Sequence, residues 1–253
     1  MVAFVGTMQQ SIKHCSPVAI YVDRDGDWHN RRRHLTLVSP ELNVASWSAV
    51  RTTVMDLWCY DYHLREGDTV VDIGAGIGDD AIMFSRLVGE KGQVVAIEAH
   101  PHTYRCLLKT IAANQLDNVI AVNAAVSDAD GHLAISDGQN FLSNSTHAET
   151  GSIKIRSRKL DALMKELGFR APDLIKMNIE GAETAALRGM SEILTTTPHV
   201  VVSCHDFKAD RGEDPTFRTH ESVTAILLDS GFRLRDRKDD SRPEVRYYVY
   251  GSK

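Results

Sequence analysis

Three glycines spaced two residues apart, in Asp72-Ile-Gly74-Ala-Gly76-Ile-Gly78, constrain this chain more than any other feature. The apolar run before them, Asp68–Ile73, reads as a short buried strand. The stretch after them, Gly78–Val88, places Ala81, Ile82, Phe84, Ser85 and Val88 on one helical face. A strand that turns through glycines into a helix is a ligand-binding βα unit. The glycines let the backbone turn tightly and let a ligand approach it closely.

Three details narrow the ligand. Asp79 stands where a dinucleotide pattern needs its third glycine. Asp72, two residues before the first glycine, would repel a pyrophosphate and suits a cationic amine. Glu98 closes the next apolar run, Gln93–Glu98, and a carboxylate there can take both hydroxyls of a ribose. A ligand with a ribose and an amino-acid amine but no phosphate is S-adenosylmethionine. A nicotinamide or nucleotide-sugar cofactor, or a turn with incidental acids, is the competing reading of the same loop.

Downstream, apolar runs alternate with amphipathic stretches. Helices are expected from Pro101 to about Gln115, over Leu160–Leu167 (stopped by Gly168), over Ala182–Leu194 and over Ser222–Leu228. Strands are expected at Asn118–Val126, Ile153–Ile155, Asp173–Ile179, His199–Ser203, Phe232–Arg235 and Val245–Tyr250, and turns at Asp128–Gly131 and Asp137–Asn140. The alternation predicts an α/β, Rossmann-like fold with a mostly parallel sheet and helices on both faces. The last two strands have only the polar segment 236–244 between them, which suits an antiparallel hairpin at one edge. Residues 1–66 read as an N-terminal extension on the substrate side, with a strand pair over Val18–Val38 and a helical region over Pro40–His63. Residues 67–253 read as the cofactor-binding domain.

In open α/β sheets the ligand sits beyond the carboxyl ends of the strands. The fourth such end reads Lys176-Met-Asn178-Ile-Glu180-Gly181-Ala182-Glu183. Asn178 and Glu180 share one strand face, where a reactive group and its acceptor would meet. Lys176 in an apolar strand needs an ionic partner, with Glu180 and Glu183 the nearest in sequence. Glu183 also suits the first turn of a helix. The fifth end reads Ser203-Cys204-His205-Asp206. His205 has the right intrinsic acidity to take a proton from a hydroxyl. Asp206 is expected to orient it, hold a metal or cap a turn, and Cys204 to be a buried small residue. Asn178 and Asp206 are oxygen donors of the kind magnesium accepts, but two ligands are too few, so a divalent metal is not inferred.

A net charge of −5 argues against broad binding to nucleic acid. The run Arg31-Arg32-Arg33-His34 reads as a solvated face. Cys15, Cys59, Cys106 and Cys204 stand far apart, which excludes a disulfide scaffold and fits a reducing cytosol. No apolar run is long enough to cross a bilayer and no secretory signal is visible, so a cytoplasmic protein without membrane contact is expected.

The stretch from VVDIGAGIGDDAIMF through IAVNAAVSD, with DLIKMNIEGAETAALRGM further on, resembles the FkbM family of S-adenosylmethionine-dependent methyltransferases. The resemblance runs from about Gly67 to Ser203. It implies a class I methyltransferase fold: seven strands, one of them reversed near an edge. It implies methyl transfer to a hydroxyl of a sugar or polyketide-type small molecule. By the match, Asp72, Gly74, Ala75 and Gly76 line the methionine end of the cofactor. Glu98 holds the ribose, with Ala99 and His100 beside the adenosine. Asn123 to Ala125, including Ala124, lie near the adenine, and Asn178 contacts cofactor or acceptor. The family usually has Asn where Gly76 stands and Asp where Asn178 stands, and its fifth strand ends differently. An Asn cannot take a proton, which leaves His205, Glu180 or no protein group as the base. The competing functions are a nicotinamide-dependent oxidoreductase or epimerase and a non-catalytic cofactor-binding module. Acceptor selectivity is expected in Trp28–Trp58 and in Ser136–Arg158, where Phe141 is the only aromatic residue. The oligomeric state is not readable.

Overall fold

A computed structural model describes residues 17–136 and 152–253. Its first part is a small antiparallel sheet: β1 (Ala19–Val22), β2 (Trp28–Arg32) and β3 (Leu35–Ser39), in that order. The strand pair expected around Asp25-Gly26 is therefore three strands. Helix α1 (Trp47–Thr53) follows and runs on as a π-turn, Val54–Trp58, so only the middle of Pro40–His63 is helical.

The α/β region runs β4 (Thr69–Ile73), α2 (Asp79–Val88), β5 (Gln93–Glu98), α3 (Pro101–Asn114) and β6 (Val119–Asn123). A side sheet follows: β7 (Ala125–Val126), β8 (Gly131–Ser136) and β9 (Ser152–Arg158), with β9 between the other two. Then come α4 (Leu160–Glu166), β10 (Leu174–Met177), α5 (Glu183–Arg188), α6 (Ser191–Thr196) and β11 (His199–Ser203). The chain ends with α7 (Asp206–Asp210), α8 (His220–Asp229), β12 (Arg233–Arg235) and β13 (Tyr248–Ser252). The turn expected at Asp137–Asn140, with Phe141 and Cys15, lies outside the described residues.

The main sheet has seven strands in the order β12-β13-β11-β10-β4-β5-β6. All neighbours are parallel except β13, which runs antiparallel to both β11 and β12. The expected terminal hairpin exists, but its second strand is inserted inward, leaving the short β12 at the edge. The strand expected over Asn118–Val126 is divided at Ala124 into β6 and β7, which join different sheets.

Both faces of the sheet are covered. On one, Val70, Val94, Ala96 and Leu174 pack with α2, α3, α1 and β3. On the other, Val71, Ile73, Val95, Ile97, Ile175 and Met177 pack with α4, α5, α6 and α8. Residues buried on both faces explain why the strands read as continuous apolar runs rather than alternating ones.

The helix expected over Ala182–Leu194 is broken into α5 and α6 at Gly189-Met190. Backbone crowding explains the glycine: a Cβ on Gly189 would lie 1.9 Å from the carbonyl oxygen of Ser127. Gly189→Ala should therefore destabilise the fold by about 1–3 kcal/mol, because main chain has to move to admit the methyl group. Urea unfolding midpoints of the two proteins check this; equal midpoints would mean that the Ser127 segment yields freely.

Candidate functional site

The glycine loop leaves the carboxyl end of β4 and crosses to β5, where the Gly74 and Ala75 N–H groups donate to the Ile97 carbonyl at 2.9 and 3.0 Å. Gly74 has φ +77°, and a Cβ there would lie 2.0 Å from the Asn178 carbonyl oxygen. No side chain fits between the β4 and β10 exits. Gly76 has φ +56° with open space beside its Cα, a conformation that Asn tolerates as well as Gly.

Glu98 ends β5 and is 8% exposed. Its Oε2 accepts from the Gly76 N–H at 3.0 Å and its Oε1 from the His100 N–H at 2.8 Å. Burial pushes its carboxyl up, against the pull of those two N–H groups, to about 7. Asn123 sits behind it, donating its side-chain amide to the Glu98 and Ala99 carbonyls at 2.9 and 3.1 Å.

Asp72 lies beneath the loop and does not line the cleft. It is fully buried, and its Oδ1 accepts from Lys176 Nζ at 2.7 Å. Its other oxygen, Oδ2, has no hydrogen-bond partner. Lys176 also donates to the Gly74 carbonyl at 3.0 Å, lies 3.5 Å from Asp80 Oδ2 and stands 4.8 Å from the Trp58 ring centre. The partners of Lys176 are thus Asp72 and Asp80, not Glu180 or Glu183. Neighbouring β4 and β10 place Lys176 directly opposite Asp72. Burial pushes the Asp80 carboxyl up to about 8.

A cleft of about 850 Å³, counted to its open mouth, runs along the carboxyl ends of β4, β5 and β10. Of the residues singled out in the sequence, Gly74, Gly76, Glu98, Ala99, Ala124, Asn178 and Glu180 line it. Ala75, His100 and Asn123 do not line it. His100 instead caps α3, its ring accepting from the Thr103 N–H at 3.5 Å. Val126, Leu133 and Ile135 form an apolar wall that the sequence reading missed. The two-residue alternation Leu133-Ala134-Ile135 was the available signal for β8. None of residues 17–66 lines this cleft.

At the β10 end a charged array closes the site. Glu180 has φ +55°, the left-handed region that few non-glycine residues enter. Its carboxylate pairs with Lys208 Nζ, and its Oε1 is 3.3 Å from His205 Nε2. Burial raises the Glu180 carboxyl, but His205 and Lys208 outweigh it and hold it below the usual range. His205 is buried, with Nδ1 2.8 Å from Glu183 Oε1. Burial alone would lower the imidazole, but Glu180 and Glu183 raise it to about 9. At neutral pH His205 is therefore a cation with both nitrogens engaged, which does not suit the proton acceptor expected there. Glu183, fully buried, also accepts from the Gly181 N–H at 3.1 Å and the Thr219 hydroxyl at 2.9 Å. Asp206 caps the entry to α8, accepting from the Thr219 and His220 N–H groups at 3.1 and 3.0 Å. Asp206 belongs to no cluster of three or more His, Cys, Asp or Glu ligand atoms among the described residues.

The model of the methyltransferase FkbM domain matches residues 72–234. The hexuronic acid methyltransferase AglP of Haloferax volcanii is 28% identical over 186 residues, covering 70% of this chain and 73% of AglP. The 2-O-methyltransferase NoeI of Sinorhizobium fredii is 28% identical, covering 60% of this chain and 70% of NoeI. Among solved structures, methyltransferase FkbM from Methylobacillus flagellatus superposes with a TM-score of 0.53 at 18% identity. That match covers 78% of this chain and 47% of the other, so this chain spans about half of its length. Fibrillarin from Aeropyrum pernix, solved with natively bound S-adenosyl-L-methionine, superposes with a TM-score of 0.52 at 12% identity, covering 92% of this chain and 93% of the other. These two likenesses carry the class I fold. The family model spans well over half of the sequence, and the chain belongs to the FkbM family of S-adenosylmethionine-dependent methyltransferases.

Proposed function

We propose that this protein methylates a hydroxyl oxygen on a small-molecule acceptor, a sugar in first place and a polyketide-type natural product in second. One observation carries the reading: a single cleft joins a buried carboxylate at the end of β5, Glu98, which holds the glycine loop, to the Asn178 and Glu180 end of β10. The printed activities of AglP and NoeI support a sugar acceptor.

The lining fits S-adenosylmethionine. Glu98 offers acceptor oxygens for ribose hydroxyls. Val126, Leu133 and Ile135 suit the face of an adenine, and small residues at 99 and 124 leave it room. The open space at Gly76 lets a ligand lie close against the backbone. Asn178 supplies an amide at the methionine end. Asp72 acts indirectly, by holding Lys176 under the Gly74 carbonyl. When bound, the cofactor supplies a methyl carbon made electrophilic by its sulfonium.

The residues at the β10 end then align the acceptor, and alignment is worth several kcal/mol in such reactions. Glu180 takes the hydroxyl proton in this reading. A carboxylate held below its usual range is a weak base, but the oxygen becomes strongly acidic as it gains the methyl group and positive charge. His205 and Lys208 keep Glu180 ionised and aimed, and Glu183 keeps His205 charged.

Calorimetric titration with S-adenosylmethionine, with NAD(H) in parallel, tests the cofactor; binding of NAD(H) alone overturns the proposal. Because ribose hydroxyls donate to the ionised Glu98, affinity should rise as pH climbs through about 7 and level off above it. Glu98→Gln should bind more weakly and show no such rise. A pH-independent wild-type affinity between 6 and 8 would refute the role of Glu98.

Glu180→Gln should lower turnover of a hydroxylated sugar by about 10²–10⁴, the range for a lost general base, with cofactor affinity unchanged. Full turnover would remove Glu180 from the chemistry.

The array also predicts a stability profile. The folded His205 titrates near 9, above its ordinary 6.5, so its contribution is complete below about 6.5 and is lost as pH rises through about 9. Urea unfolding at pH 6, 8 and 9.5 should show the wild type losing its advantage over His205→Gln across that interval. A constant difference would mean that His205 is uncharged in the folded protein.

A further inference from the structure

The turn between β1 and β2 carries Asp23, Asp25 and Asp27, and α3 presents His102, Cys106 and Lys109 to it. Two faces of this cluster differ. On one, Lys109 Nζ meets Asp23 Oδ2 and Asp25 Oδ2 at 2.7 Å and Asp27 Oδ2 at 2.5 Å. An ammonium already fills that face, so the three aspartates offer no cation site among themselves.

The other face is different in kind. Asp27 Oδ1 lies 2.7 Å from His102 Nε2. The Cys106 sulfur joins them: one ligand atom from each of Asp27, His102 and Cys106 lies within 4.8 Å of the other two. His102 and Cys106 are four residues apart on α3, so they stand side by side on one face of the helix. Asp27 is 1% exposed and Cys106 fully buried, while the His102 side chain is 38% exposed. The cluster is closed by protein on one side and open to solvent on the other.

We propose that Asp27, His102 and Cys106 form a binding site for a zinc-type divalent ion, with solvent as the fourth ligand. A thiolate, an imidazole and a carboxylate make the donor set that zinc accepts, at bond lengths of about 2.0–2.3 Å. Ligand atoms around such an ion stand roughly 3–4 Å apart by tetrahedral geometry, so side-chain adjustment alone closes the site. The step balances with one proton. The ion replaces the Cys106 thiol proton, which leaves to solvent, while His102 binds as a neutral imidazole through Nε2 and Asp27 as a carboxylate, so that bonds from sulfur, nitrogen and oxygen to the metal form. The divalent charge is met by the thiolate and the carboxylate, and Lys109 stays on the far side of Asp27. Occupancy would staple the N-terminal hairpin to the first two turns of α3, the helix that starts beside Glu98.

The test is cobalt titration of the chelator-stripped, full-length protein. The expected result is one equivalent of Co²⁺ bound, with an intense near-ultraviolet thiolate-to-cobalt band that Zn²⁺ then bleaches. Cys106→Ser should lose the band. His102→Gln, at a half-exposed position that tolerates polar change, should weaken cobalt binding at least about 10-fold with the fold retained by circular dichroism. Zn²⁺ should raise the melting temperature of the wild type and not that of either variant. No binding by the stripped protein, binding without the thiolate band, or a band that survives Cys106→Ser would each overturn the site.

Discussion

A buried ion pair holds the two halves of the cleft together. Lys176 and Asp72 come from neighbouring strands, directly opposite one another, and neither has meaningful contact with solvent. Removing two charges from water costs several kcal/mol each, so such a pair persists only with good geometry and further partners. Lys176 has them: the Gly74 carbonyl, Asp80 and the Trp58 ring. The Gly74 contact matters most for the site. It lets a side chain from β10 hold the backbone of the loop that follows β4. The position of the glycine loop relative to Asn178 is thus set by one cation beneath both. Asp72 Oδ2, left without a partner, marks where this arrangement is still electrostatically incomplete.

The second array follows the same logic on the other side of the β10 exit. The Glu183 carboxylate meets three partners, the Gly181 N–H, the His205 ring and the Thr219 hydroxyl. Its charge keeps His205 charged, and His205 in turn holds Glu180. That sequence of contacts gives a reason for the left-handed backbone at Glu180. A non-glycine residue there costs of order 1 kcal/mol or more. The array offsets the cost by fixing the carboxylate against two cations.

How legible this was in the sequence depended on distance along the chain. The βα alternation, the mostly parallel sheet and the reversed strand are written in local periodicity, and they appear as expected. Glycine spacing and the acids at strand ends likewise pointed to Gly74, Gly76, Glu98, Asn178 and Glu180, which do share one cleft. What was not legible was pairing between remote segments. Lys176 announces that it needs a partner, but nothing local says that the partner is Asp72, 104 residues earlier. His205 looked like a base because an isolated imidazole titrates near neutrality. Two carboxylates from the preceding βα connection remove that property, and only the fold brings them together. The break at Gly189 is of the same type, since it answers to the Ser127 carbonyl from another element.

The N-terminal segment shows why chain order and physical units need not coincide. Leu35, Leu37, Val38, Val50, Val54 and Trp58 belong to the same apolar cluster as Val70, Val94 and Leu174 of the main sheet. Polar ties reinforce the packing. The Val38 N–H donates to the Thr110 hydroxyl at 3.0 Å, and Asn114 exchanges hydrogen bonds with both backbone groups of Thr36. Arg86 donates to the His34 carbonyl at 2.6 Å and lies over the Trp47 ring. Through these contacts the segment covers α2 and α3, the helices that open from the glycine loop and from Glu98. Among the described residues, its link to the cleft runs through those two helices and through Trp58 beside Lys176.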